Sequence, residues 1–461
     1  MIFSSLIFIF LFLPFTLLAY LLLRKQTGNI ILLIGSIIFY FWSEKHYTII
    51  VIGLILVNYW LVKHVSRNRL ILILILSINI GVLFYFKYFY FFFGNFVGGH
   101  ILVTSKHLLL GISFFVFHAI SYCLDVYRGT ALPTKSLTNF SLYMLFFPQM
   151  IAGPIVRYRD IASQLTKRIF KTEWVYEGTK RFIYGLGKKV LIANILGLAA
   201  DRVFTLSSSH LSTDFAWLGI ISYTLQIYFD FSAYSDMAIG LAKVFGFQFL
   251  ENFNYPYISR SIQEFWTRWH ISLSNWFRDY LFIPLGGSRN GKIKTYVNIL
   301  IVFTLCGIWH GANWIFALWG IYYAFFLIIE HSPIGKILQK MPRVFQHVLT
   351  LTIIMYGWVL FRSSSLYQVS YYTKALIGQG STGTSFFTIN QLLSNDLKLA
   401  LIIGIVFSTP IYPFIKKFFY QYKKIYMYAK SIEMIALLSI FFISIIFLVN
   451  NTYKPFIYFR F

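Results

Sequence analysis

Long apolar windows alternate with short polar segments along the whole chain. Free of Asp, Glu, Lys and Arg are Phe3–Leu23, Asn29–Ser43, His46–Val62, Leu70–Phe86, His107–Leu124, Ser136–Val156, Phe215–Phe229, Thr295–Ile329, Val344–Phe361, Leu399–Ile415 and Met434–Tyr453. About 20 such residues in a helix cross a hydrocarbon core of about 30 Å, so windows of this kind predict membrane helices. The expectation is an all-α, polytopic integral membrane protein with about 11 spans and re-entrant segments between them. Without a fixed-period repeat or a long Pro- or Ser-rich linker, the chain reads as one domain, 1–461. The first window lacks a basic start and an A-x-A site, so it is expected to stay as a helix rather than be removed as a signal.

Two windows depart from a straight span. Ser136–Val156 carries Pro148 and Ala152-Gly153-Pro154 and has basic residues on both flanks, which predicts a re-entrant segment. Thr295–Ile329 is too long for one helix and is interrupted at Gly307, Gly311 and Asn313. Its first limb of about 13 residues would rise roughly 20 Å at 1.5 Å per residue, which places the break, and His310 with it, within the membrane.

Composition supports the membrane reading. Hydrophobic residues make up 58% and charged residues 12% of the 461, against roughly 25% charged in ordinary soluble domains. A soluble particle of this size could not cover its surface with so few charges. The balance of 40 Lys+Arg against 15 Asp+Glu leaves +25. The basic residues gather in short segments between apolar windows, as the positive-inside bias requires, and no nucleic-acid partner is implied. Arg24, Lys25, Lys63, Arg67, Arg69, Lys336, Lys340, Arg343, Lys416, Lys417, Lys423, Lys424 and Lys430 define loops expected in the cytoplasm. Gly94–Lys106, Ser363–Lys398 and both termini then face outward. Cys123 and Cys306 both lie in apolar windows and form neither a metal-ligand spacing nor a disulfide framework. No metal is expected.

Two of the ten histidines stand out. His310, in Gly307-Ile308-Trp309-His310-Gly311-Ala312-Asn313-Trp314, is a titratable group inside an apolar window, which marks a functional site. A buried histidine that only hydrogen-bonds a neighbouring helix is the structural alternative. The flanking glycines would let a ligand approach the backbone. His270 lies in the stretch 261–280, where helical spacing gathers Ile262, Phe265, Trp266, Trp269, Leu273, Trp276 and Phe277 on one face. Arg260, Glu264 and Arg268 align at i, i+4 on the other. Taken alone, this reads as an interfacial amphipathic helix with a tryptophan belt, and His270 as a satisfied polar residue at its edge.

Other chemistries are not written here. No histidine has an aspartate five positions later, and there is neither a G-x-S-x-G elbow nor a P-loop. Gly378-Gln379-Gly380-Ser381-Thr382-Gly383 fits G-x-G-x-x-G, but in a loop with no strand before it, so no dinucleotide site is expected. Carboxylates only border the windows, at Asp125, Asp230 and Asp236, too few for an ion-coupled transporter.

The stretch from Gln226 to Gly240, QIYFDFSAYSDMAIG, resembles the membrane-bound O-acyltransferase family. Asn252–Tyr257, Arg268-Trp269-His270-Ile271-Ser272 and Trp309-His310-Gly311-Ala312 continue the resemblance in order. Asp125–Arg128, Ala152–Pro154 and Gly357–Arg362 also fit. Within that family the pattern is similar to the bacterial branch that O-acetylates alginate or peptidoglycan or transfers D-alanine. The resemblance implies a helical bundle around a central funnel, with His310 the catalytic histidine and His270 its supporting partner. It assigns Arg268, Trp269, Trp309, Asn313 and Asp236 to substrate binding. No cofactor is implied: acetyl-CoA is the donor substrate, taken on the cytoplasmic side of a bacterial inner membrane. The implied partner is a periplasmic SGNH/GDSL-type acetyltransferase, and the final acceptor a cell-envelope polysaccharide, peptidoglycan ahead of alginate.

The tail 451–461 resembles the F-x-x-F-I-Y-x-x-F ending of the small partner subunit in D-alanyl transfer, with Tyr453 in place of the first Phe. By that resemblance Tyr458 would carry the acyl group. The alternative is an aromatic anchor at the membrane interface.

Overall fold

A computed structural model describes residues 1–66, 68–93, 108–151, 153–382, 388–420 and 423–450. Among them only helices and their connections occur. The chain divides into two compact units, Met1–Phe182 with Tyr234–Glu251, and Ile183–Ala233 with Asn252–Phe461.

Among the described residues, seven helical stretches are long and apolar enough to cross a membrane, or eight if the bent pair Asn395–Phe407 and Ile411–Phe418 counts as one. This agrees with the eleven windows better than the count suggests. The first stretch, Phe8–Val62, takes in three of the windows. Its helix Leu13–Glu44 is kinked at Thr27 (φ −130°, ψ 19°), just beyond Arg24 and Lys25.

In the first unit, Phe3, Phe8, Phe12, Phe39 and Phe147 pack ring on ring, with Phe3 stacked on Tyr234 at 4.6 Å. Buried Asn58 and Asn79 donate to each other's amide oxygens at 3.2 and 2.8 Å, joining neighbouring helices as polar side chains do in apolar surroundings. The broken segment is as expected. Helix Leu137–Leu145 ends at Phe146 (ψ 112°) and a single turn, Phe147–Met150, follows with Pro148 in its first turn.

Helix Thr172–Phe204 was not among the windows. Lys180, Arg181, Lys188 and Lys189 break up its apolar character, and buried or half-buried carboxylates compensate two of them. In the first unit Arg181 pairs with Asp236 at 2.8 Å. In the second, Lys189 Nζ lies 2.6 Å from Asp230 Oδ1, with side chains 4% and 1% exposed. Lys189 projects from a π-helical turn, Lys188–Ala193, the kind of widening often found at functional positions.

Thr295–Ile329 forms two helices as expected, but their lengths correct the depth argument. The first helix is Lys292–His310, 19 residues or about 28 Å, close to a full hydrocarbon thickness. The helix extends the charge-free limb by three residues at each end, through Lys292 and Lys294 at its start and past Gly307 to His310.

Candidate functional site

His310 is the last residue of helix Lys292–His310, and three residues separate it from helix Trp314–His331. Asn313 makes the turn. Its Oδ1 accepts from Ile315 N at 3.0 Å, and its Nδ2 donates to Ser364 O at 3.4 Å. Polar side chains at this N-cap position satisfy the otherwise free amides of the first turn. The two helices pack backbone to backbone. A Cβ on Gly307 would meet Phe316 O at 2.1 Å, and one on Gly320 would meet Phe303 O at 2.1 Å. The glycine expectation is therefore corrected: Gly307 serves helix contact rather than ligand approach, and the ring of Phe316 fills the space beside Gly311.

The His310 ring, 8% exposed, sits among Trp309, Trp319 and Phe361 at 4.8, 5.1 and 5.2 Å. Trp309 is itself buried, so the imidazole faces a largely apolar wall.

His270 corrects the helix expectation. The stretch 261–280 is two short helices, Ile262–Arg268 and Ile271–Phe277, broken at Trp269 and His270. His270 adopts a left-handed backbone (φ 44°, ψ 54°), which costs a non-glycine residue about 1–2 kcal/mol. Neighbouring backbone bonds hold it there: Asn254 N to Arg268 O at 2.9 Å, Ile271 N to Asn252 O at 2.9 Å and Ser274 N to His270 O at 3.0 Å. The seven residues of the aromatic face are all buried, so they form core and not an interfacial belt.

The His270 ring is 1% exposed and stands edge-on to Phe231 at 4.5 Å. Its tautomer follows from its partners. Ser272 N can only donate, and it reaches Asn252 Oδ1 at 3.2 Å, which fixes the amide with its oxygen inward. His270 Nδ1 lies 3.1 Å from that same oxygen and must therefore donate to it. Nε2 is left with its lone pair and no hydrogen bond among the described residues. Burial pushes the imidazole down to about 3, so the ring is neutral at physiological pH.

Aromatic rings connect the two histidines. Phe361 touches His310 at 5.2 Å and Trp358 at 5.7 Å, and Trp358 touches Trp269 at 4.9 Å, next in sequence to His270. Trp266 also meets Trp319 at 5.8 Å. The second unit thus brings His310, Trp309, Trp269 and His270 into one cluster. Arg268 lies beside it, held by Glu264 at 3.0 Å and by Asn254 O at 3.1 Å. Asn313 is placed as a cap. Asp236 belongs to the first unit, where Arg181 holds it and also reaches Glu251 at 2.6 Å. Tyr458 lies outside the described residues. Among those residues, no group of three or more His, Cys, Asp and Glu is placed to hold a metal ion.

Sequence reasoning missed Asn252, whose stretch was noted for its resemblance but not for its bond to a residue 18 positions on. It also missed the pairing of Lys189 with Asp230. The signal for that pair was a lysine inside an otherwise helical apolar run and an aspartate at a window's edge. Chemically, a general base contributes typically 10²–10⁴-fold when its pKa lies near the working pH, and a ring pushed down to about 3 is a weak proton acceptor, so His270 suits a positioning role better than that of base.

The pattern of the MBOAT, membrane-bound O-acyltransferase family, matches residues 82–356. The chain is 39% identical over 410 residues to a Pseudomonas fluorescens protein named probable alginate O-acetylase AlgI, covering 87% of this chain and 80% of that one. It is 32% identical over 422 residues to the peptidoglycan O-acetyltransferase of Helicobacter pylori, covering 82% and 80%. A Bacillus subtilis teichoic acid D-alanyltransferase is 31% identical over 228 residues, covering 47% and 57%. With more than half its length matched by the family pattern and a relative 39% identical over most of both chains, the chain belongs to the membrane-bound O-acyltransferase family and is a multi-pass membrane O-acyltransferase.

Proposed function

We propose that this protein takes acetyl groups from cytoplasmic acetyl-CoA and delivers them outward for O-acetylation of an exported polysaccharide, through a periplasmic SGNH-type transferase. His310 acts as general base. It removes the proton of an attacking hydroxyl, whose oxygen adds to the thioester carbonyl. The carbon–sulfur bond breaks, and the imidazolium returns the proton to the CoA thiolate. His270 orients the site, held neutral and buried by Asn252 with its Nε2 inside the ring cluster. The observation that carries this reading is the burial of both histidines in one ring cluster.

For the acceptor, an alginate-like exopolysaccharide is supported by relatives named probable alginate O-acetylases at 36–39% identity. Peptidoglycan, the first expectation from sequence, is supported by the Helicobacter pylori relative at 32%. The donor reading rests on the basic cytoplasmic loops, which suit the phosphates of CoA.

The test is incubation of purified protein with labelled acetyl-CoA, followed by intact-mass and peptide mass spectrometry. Label on the C-terminal peptide, lost in Tyr458→Phe and in His310→Ala, supports a relay through the tail. Label elsewhere that still requires His310 keeps the transferase and removes Tyr458 as carrier. Full activity in His310→Ala ends the proposal.

A further inference from the structure

Helix Ile262–Arg268 must deliver His270 to a particular level along the hairpin that carries His310. Its lateral contacts with that hairpin are aromatic: Phe265 stacks on Tyr323 at 6.5 Å, and Trp266 meets Tyr323 at 5.1 Å and Trp319 at 5.8 Å. Such packing is weakly directional, since ring pairs tolerate centroid separations of about 4.5–7 Å. By itself it sets which faces touch, but leaves the short helix free to shift along the hairpin's axis.

A directional contact fixes that axis. Glu330, near the end of helix Trp314–His331, accepts Ile262 N at 2.6 Å with Oε1 and Gln263 N at 2.9 Å with Oε2. The remaining bonds of this turn are made by its own neighbourhood. Ser261 Oγ accepts Glu264 N at 3.0 Å, and Glu264 accepts Arg260 N at 2.9 Å. The carboxylate therefore ties the start of the short helix to the hairpin. From that tie the helix runs past Tyr323 and Trp319, toward the end of the hairpin where His310 sits.

We propose that Glu330 is the positioning residue that sets the axial register of helix Ile262–Arg268 on the hairpin, and through it the placement of His270 relative to His310. It acts through the helix it holds, from the opposite end of helix Trp314–His331 to the turn beside His310. Its effect on rate comes from geometry, and a displacement of about 1 Å is enough to cost up to 10²-fold. This inference rests on the reading of His310 and His270 as the working pair. Beside the carboxylate an open cavity is lined by Arg260, Gln263, Leu338 and Gln346, so shortening the side chain enlarges existing space rather than opening a sealed void.

The test compares Glu330→Ala and Glu330→Gln in the full-length protein, assayed for acetyl transfer from acetyl-CoA. In Glu330→Ala, which loses both bonds, kcat is expected to fall about tenfold or more, with KM for acetyl-CoA within about twofold. Glu330→Gln keeps one acceptor and turns the other into a donor facing a donor, so an intermediate loss is expected. In a His270→Ala background the same Glu330→Ala change should cost little, because the group it places is gone. A cryo-EM structure of Glu330→Ala should show both helices formed, with Ile262–Arg268 shifted along the hairpin. Unchanged kcat, losses that multiply independently with His270→Ala, or an unshifted helix would overturn the proposal. If His270→Ala and His310→Ala retain wild-type kcat, it is the underlying reading of the site that fails, whatever Glu330 does.

Discussion

Asn252 Oδ1 receives three donors from one short stretch: His270 Nδ1 at 3.1 Å, Ser272 N at 3.2 Å and Ser272 Oγ at 2.9 Å. A single amide oxygen thus holds both the left-handed turn and the protonation of the ring on it. Asn252→Ala takes the shared acceptor from all three donors, at about 1–3 kcal/mol for a buried group that finds no other. Acetyl transfer is expected to drop roughly 10- to 100-fold in kcat/KM, measured with labelled acetyl-CoA. Asn252→Asp should do something different. A carboxylate against Nδ1 favours the imidazolium and raises the ring's pKa, so the acid limb of the pH–rate profile moves to higher pH. An unmoved limb would mean that His270 takes no part in the rate.

The same ring makes a stability prediction. His270 in the folded protein titrates near 3, and an unfolded chain's histidine near 6.5. Below pH 6.5 the unfolded state binds the extra proton, so this contribution to stability is fully present above that value and is lost as pH falls toward 3. The slope approaches about 1.4 kcal/mol per pH unit. Thermal unfolding in detergent between pH 7 and 4 should fall less steeply for His270→Asn than for the wild type.

The hairpin offers a packing test. Gly307→Val would drive a side chain into the backbone at Phe316, and such overpacking costs about 1–3 kcal/mol. Gly53, within helix Thr48–Val62, has nothing within 4 Å of its would-be Cβ. Gly53→Ala is therefore expected to be neutral or to gain up to about 1 kcal/mol. The two melting temperatures, measured side by side, check both.

Much of this architecture is written in the apolar windows, which locate most of the long helices and the break at Gly311–Asn313. His310 is legible because a titratable residue in an apolar window is conspicuous. His270 is only half legible. The 3.6-residue periodicity survives a two-residue break, so 261–280 reads as one helix, and nothing in the pattern marks a histidine with positive φ. The contact that explains it comes from Asn252, outside any local window. Helix Thr172–Phe204 is hidden because a lysine appears the same whether it faces water or a buried Asp230. Glu330 reads as the polar end of an apolar run, and only the fold brings Ile262 and Gln263 to it.

The pair of Lys189 and Asp230 is testable by removal and by replacement. Lys189→Met removes the cation 2.6 Å from a buried carboxylate and should cost about 3–5 kcal/mol. Lys189→Met combined with Asp230→Leu removes both charges and is expected to recover most of that loss, read as the unfolding midpoint in detergent. A double variant no better than the single one would show that the pair has a further role beyond mutual neutralisation.

Those cations also bear on how the chain is made. Helix Thr172–Phe204 emerges from the ribosome before Asp230 and Asp236 do, and each lysine or arginine at a helix centre costs about 2.5–3.5 kcal/mol during insertion. The helix is thus a poor passenger alone and becomes a good one when Thr213–Val244 arrives with its carboxylates. In a cell-free translocation assay, chains ending after Phe204 are expected to leave the helix outside the bilayer, and chains extended through Val244 to integrate it. The two helices would then enter the lipid as a charge-matched pair, and the order of synthesis would delay the second unit's assembly until its partner strand of chain is complete.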